Sequence, residues 1–188
     1  MQLHNAALII IDMQNGMADP AAGKRNNPDA EQNIGALLRA WRSAGATVVH
    51  VRHISKTVGS PFWPGQAGVE FQQRFAPLPD AFVMEKNVPD AFINTGLERW
   101  LRVRGIGELV IVGVSTNNSV EASARTAGNL GFMTHVVADA CFAFAKVDYA
   151  GVARSAEDVH VMALSNLHGE YAAIVDTRDV LDAFARVA

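Results

Sequence analysis

Cysteine is almost missing from the 188 residues: Cys141 is the single one. That excludes an internal disulfide framework and any metal site built from several thiolates. Charge is sparse as well. Sixteen Lys plus Arg stand against 19 Asp plus Glu, a formal −3 and a charged share of 19%, below the usual ~25%. There is no basic tract, so nucleic acid is not expected as a partner. No run of eighteen apolar residues occurs, so no segment is expected to span a membrane. The opening Met1-Gln2-Leu3-His4-Asn5 has no basic region leading into a long apolar stretch. That argues against a secretory signal and for a cytoplasmic protein. What is plentiful is apolar surface, at 49% of residues, which is incompatible with global disorder. The length suits one domain over residues 1–188.

The apolar residues are patterned. Ala6 to Ile11 is a continuous run, the signature of a strand covered on both faces of a parallel sheet. Asp29 to Ala44 places Ile34, Leu37, Leu38 and Trp41 at helical spacing, with Gly45 as a stop. Further strands are predicted at 47–52, 81–85, 109–114, 133–138 and 171–175. Helices are predicted at 94–104, 118–130, 156–166 and 178–186. Asn118 and Glu121 have capping-box spacing for the third helix. Residues 53–80 break the pattern with Gly, Pro and aromatics, a long connection of the kind that often carries function. Alternating strands and helices call for an α/β fold, a three-layer α/β/α arrangement around a parallel sheet.

In open α/β sheets ligands bind beyond the carboxyl ends of the strands. Asp12, Arg52 with His53, Lys86, the run Ser115-Thr116-Asn117-Asn118-Ser119, and Asp139 stand at those ends. Each has an ordinary reading too. Asp12 can cap its own loop, Lys86 can be a solvated surface group, and Ser119 can cap a helix. A carboxylate directly after a buried run is costly unless something pairs with it. A hydroxyl at a helix N-terminus can also serve as a nucleophile beside free amides.

Three blocks together resemble the isochorismatase-like hydrolases: Ala7-Leu-Ile-Ile-Ile-Asp12-Met-Gln14; Lys86 followed by Asp90 to Leu97; and Val112-Gly113-Val114-Ser115-Thr116-Asn117-Asn118-Ser119-Val120-Glu121, continuing to Ala140. The resemblance implies a Rossmann-like, six-stranded, mostly parallel sheet, a small-molecule substrate and a homo-oligomer, a dimer or a tetramer; no cofactor is expected. Many members are amidohydrolases with an Asp, a Lys and a Cys nucleophile. Block matching puts Asp12 on the acid, Lys86 on the lysine and Ser119 on the nucleophile, so serine replaces the thiol. It also implies a cis peptide at Val114–Ser115, with the Ser115 and Ser119 amides as oxyanion donors. Gln14, His53, Phe62, Trp63, Phe92 and Asn118 are candidates for the substrate pocket.

The serine matters chemically. A thiol with a pKa near ~8.5 is partly ionised at neutral pH, whereas an alcohol needs a well-placed base. Serine hydrolases usually employ histidine for this, and only His53 and His168 are candidates to approach the cleft. Isochorismatases proper offer a different precedent, cleaving a vinyl ether with the Asp as general acid and without the cysteine. For an anionic substrate Arg52, Arg74 and Lys56 are the candidate counter-charges. Cys141, flanked by apolar residues, reads as a small buried hydrophobe. His50 and His53 should face opposite sides of their strand with no acidic partner at ligand spacing, so no metal is expected. Phe62, Trp63, Phe71 and Phe75 either wall a pocket or pack a subunit interface. The resemblance therefore implies a hydrolase acting on a C–N amide or a C–O vinyl ether bond. The alternative is a retired family member that binds a metabolite or protein partner.

Overall fold

The computed structural model describes residue 3 and residues 5–186. In chain order the elements are β1 (Ala6–Ile11), α1 (Ala30–Ser43), β2 (Val48–His53), β3 (Phe82–Lys86), α2 (Leu97–Val103), β4 (Glu108–Val114), α3 (Glu121–Asn129), β5 (Met133–Phe142), β6 (Lys146–Val147), β7 (Ala153–Arg154), α4 (Ala156–Leu167), β8 (Ala173–Val175) and α5 (Thr177–Phe184). Six strands form one sheet in the order β3-β2-β1-β4-β5-β8, and every pairing is parallel.

β1 lies inside this sheet, and all six of its residues are buried. Its alternate side chains enter two cores. Ala7, Ile9 and Ile11 pack with Leu97 and Leu101 of α2, Ala124 and Ala127 of α3, and Leu164 and Leu167 of α4. Leu8 and Ile10 pack with Ile34, Leu37 and Trp41 of α1 and Val180 and Phe184 of α5. Two covered faces explain why the strand reads as an unbroken apolar run. The strand order reverses between β1 and its neighbours β2 and β4, which opens a crevice above the carboxyl end of β1.

Several details depart from the pattern reading. α2 begins at Leu97, because Asn94 takes a left-handed φ of +57° and the Thr95 hydroxyl donates to Ala91 O at 2.6 Å. The capping box of Asn118 and Glu121 does not form. Instead Thr116–Val120 makes a wide π-type turn, in which the Val120 N–H reaches Ser115 O at 3.2 Å. β5 continues through Cys141 to Phe142, past a register shift opposite Ile111 and Gly113. There Gly113 has φ +123°, and a Cβ would lie 2.1 Å from Ile11 O, so only glycine fits between the strands. Asp139 is consequently inside β5, where its carboxylate accepts from the Thr177 N–H and hydroxyl, both at 2.8 Å, and anchors α5. The β6–β7 hairpin was not predicted, since two-residue strands are too short to show alternation. Among the described residues no helix is long and apolar enough to cross a membrane.

Candidate active site

Asp12 follows β1 directly, with its backbone in the left-handed region at φ +53°, a conformation that aspartate visits more readily than most residues. Its N–H donates to Val51 O at 3.0 Å. Lys86 is the last residue of β3 and lies in register with His53 of β2. Its four-carbon stem therefore crosses the end of β2 to reach the centre of the sheet. There the Lys86 ammonium donates to Asp12 Oδ2 at 2.7 Å and to Ser119 Oγ at 3.1 Å. The Lys86 and Asp12 side chains are 0% and 1% exposed, and Ser119 is buried as well. Three residues from three strand ends thus share one buried point.

The electrostatics follow from burial. Removal from water pushes the Asp12 carboxyl above its usual range, and the Lys86 ammonium and nearby Ser119 hydroxyl draw it part of the way back. Asp12 Oδ1 is buried with no hydrogen-bond partner, so one carboxylate oxygen is free to take a proton. Burial, reinforced by Lys86, holds the His53 imidazole below its usual value, although Asp12 opposes the shift. His53 packs edge-on against Phe62. Among the described residues no histidine ring hydrogen-bonds Ser119; its hydroxyl meets the lysine instead. His168 ends α4 in an exposed position. The Val114–Ser115 peptide bond is cis, and the Asn118 and Val120 amides both donate to Ser115 O.

A cavity of about 630 Å3 opens over Lys86, lined by Ile54, Ser55, Lys56, Trp63, Pro64, Glu85 and Asn87. Trp63 belongs to its wall. Gln14 does not: its side-chain amide accepts from the His53 N–H at 2.8 Å and donates to His53 O and Val69 O at 3.0 and 2.7 Å. It acts as a clip that fixes the end of β2 against the long loop. Phe92 packs beside Phe132 in the core, and Asn118 is exposed on the turn. Of the loop aromatics, Phe75 is fully buried under α1 and belongs to neither a pocket wall nor a surface. Phe71 sits edge-on to His50. Arg52 is ion-paired with Glu85, and Arg74 lies over the Phe75 ring.

Residues that pattern reading did not single out support the turn. His160 Nδ1 lies 2.8 Å from Thr116 Oγ1 in that turn, while Asn27, 3.5 Å from the other nitrogen of His160, holds the neighbouring β5 by donating to Cys141 O at 2.7 Å and Ala138 O at 3.0 Å. Only the apolar setting of His160 on α4 hinted at burial. Cys141 is fully buried, and burial pushes its thiol up to about 12. His50 is also buried, with neither ring nitrogen partnered, and burial followed by the Arg42 charge pulls it to about 4. Among the described residues no three His, Cys, Asp or Glu side chains gather as a metal-binding group.

The family model for the isochorismatase domain matches residues 6–179. An uncharacterized isochorismatase family protein of Bacillus subtilis, YrdC, is 36% identical over 96% of both chains. The ureidoacrylate amidohydrolase RutB of Caulobacter segnis is 28% identical over 97% of this chain and 87% of its own. A crystal structure of an isochorismatase-family protein from Chromobacterium violaceum superposes with a TM-score of 0.96 at 46% identity, covering 99% of this chain and 96% of that one.

Proposed function

The chain belongs to the isochorismatase family, and on that premise we propose that it hydrolyses an amide-type C–N bond in a small molecule, with Ser119 as nucleophile. The observation that carries the proposal is the Lys86 ammonium bridging Asp12 Oδ2 and Ser119 Oγ. A serine that only capped a helix would spend its hydroxyl on a backbone N–H. This hydroxyl faces a cation, which stabilises the charge that develops on oxygen as its proton leaves. The amidohydrolase activity in the name of the Caulobacter relative favours the same bond class.

Ser119 Oγ attacks the carbonyl carbon while its proton passes to the Asp12 carboxylate, whose raised pKa makes it a stronger base than an exposed aspartate. The C–N bond breaks, the nitrogen takes that proton, and the amine departs. Water then attacks the acyl-serine, gives one proton to Asp12, and releases the acid as Ser119 regains its hydrogen. The amides of Ser115 and Ser119 are the proposed donors to the oxyanion.

One observation favours a second reading. The unpartnered Asp12 Oδ1 and the raised Asp12 pKa also suit a general acid that protonates a vinyl ether, leaving water to capture the cation. Rapid quench and intact-mass measurement during turnover of a panel of amides and vinyl ethers separates the two. An acyl adduct on wild type, lost in Ser119→Ala together with activity, is expected. Full activity in Ser119→Ala with loss in Asp12→Asn selects ether cleavage. No turnover of amides or vinyl ethers, with ligand-induced thermal stabilisation, would instead mark a binding protein.

A further inference from the structure

Three charged residues line the 630 Å3 cavity, Lys56, Glu85 and Lys86, the last with its side chain buried beneath it. Two of them are neutralised where they stand. Lys86 is paired with Asp12 at 2.7 Å, and Glu85 is paired with Arg52. The second carboxylate near that guanidinium, Glu70 at 3.8 Å, lines a separate hollow with Phe71 and Pro77. His53, below its usual pKa, is neutral at pH 7 and adds no charge. Lys56 differs from all of these, because among the described residues no carboxylate pairs with its ammonium.

The backbone under Lys56 is held in place. The Ile54 N–H donates to Lys86 O and the Ser55 N–H to Phe62 O, each at 2.8 Å, and the Thr57 N–H donates to Ser55 Oγ at 3.0 Å. The loop that carries the free cation is thus laced to the strand that carries Lys86. Trp63 and Pro64 give the same cavity an apolar wall.

We infer that the substrate carries a carboxylate remote from its scissile amide, and that Lys56 is the residue that binds it, with the carbon skeleton lying along Trp63. A cavity with one uncompensated positive charge attracts an anion and disfavours a cation. The substrate class is then an ω-amide of a dicarboxylic acid or a similar anionic amide. This inference rests on the hydrolytic role proposed for Ser119.

The test compares succinamate, glutaramate and adipamate with their uncharged diamides in wild type, Lys56→Gln and Lys56→Glu. Wild type should prefer the charged member of at least one pair by about tenfold or more in kcat/KM, the scale of a charge-assisted contact. Lys56→Gln should bring the pair to within about threefold, with the loss falling on KM, and Lys56→Glu should invert the order. Added salt should erode the wild-type preference, since Lys56 is exposed. A preference that survives in Lys56→Gln, or a wild type that favours diamides, overturns the Lys56 assignment while leaving hydrolysis by Ser119 intact. If none of the amides turns over, calorimetric binding of the same acids decides. Binding that needs Lys56 keeps the carboxylate site and removes the hydrolytic reading, whereas no binding to wild type removes the carboxylate site.

Discussion

Cys141 and Ser119 stand on neighbouring strands, one inside β5 and the other in the turn that follows β4. By side-chain chemistry alone the thiol is the better nucleophile. The proposed function reverses that order, and the surroundings of the two groups differ in the sense it requires. Cys141 is sealed in the core that also holds Ile111, its sulfur 4.0 Å from Ile111 O, and its pKa is pushed up to about 12. The thiolate is therefore negligible at neutral pH. Ser119 has an ammonium at 3.1 Å and a carboxylate close behind it. Under the proposed function, reactivity is set by which charges face a group, and a weaker acid beside Lys86 is to outrank a stronger one in hydrocarbon.

Ser119→Ala gives the largest expected effect on that comparison, a loss of at least about a thousandfold in kcat with Cys141 still in place. Activity near wild type in this variant would mean that Ser119 is not the nucleophile. Lys86→Met comes next. It leaves a buried, unpaired Asp12, so denaturant unfolding should show a loss of about 3–5 kcal/mol along with lost turnover. An unchanged midpoint would show that Asp12 is already uncharged in the resting protein.

The pH profile sharpens the role of Asp12. A raised pKa keeps the carboxyl protonated to higher pH, so a base role is lost as pH falls through that raised value. The acid limb of kcat/KM for an amide should therefore lie above the ordinary aspartate range near ~4. A general-acid role predicts the opposite sign, with activity lost as pH rises through the same value. Smaller still is Ser119→Cys, whose new thiol beside Lys86 should react with iodoacetamide at pH 7 much faster than Cys141 does in the wild type. Equal labelling rates would remove the contrast. Cys141→Ala should leave turnover unchanged and cost about 1 kcal/mol of stability, read as a small shift in the thermal midpoint.

The legibility of these features in the chain was uneven. β1 and α1 were plain because a doubly covered strand and an amphipathic helix leave periodic marks. Asp12 is visible as a charge ending an apolar run, whereas Lys86 is marked mainly by the family resemblance; the structure brings the two to 2.7 Å. Gln14 was noticed for its position but misread as a pocket group, because its double clip on His53 is a contact across 39 residues. The helix at Asn118 looked capped from its spacing, yet the chain opens into a wider turn there and commits the Asn118 and Val120 amides to Ser115 O. Spacing cannot report on that choice, because both geometries use the same residues.

By itself the sequence determined the alternation of strands and helices, the burial of β1, and the presence of a hydroxyl residue, Ser119, shortly after β4. These are local properties, written in periodicity and residue type. Only the tertiary structure decided that Lys86 crosses the end of β2 to meet Asp12 and Ser119, that Cys141 is shut inside the protein, and that Lys56 lines the cavity with no carboxylate paired to it among the described residues. Those outcomes depend on strand order and on which charges share a low-dielectric space, and both are fixed by contacts between segments far apart in the chain.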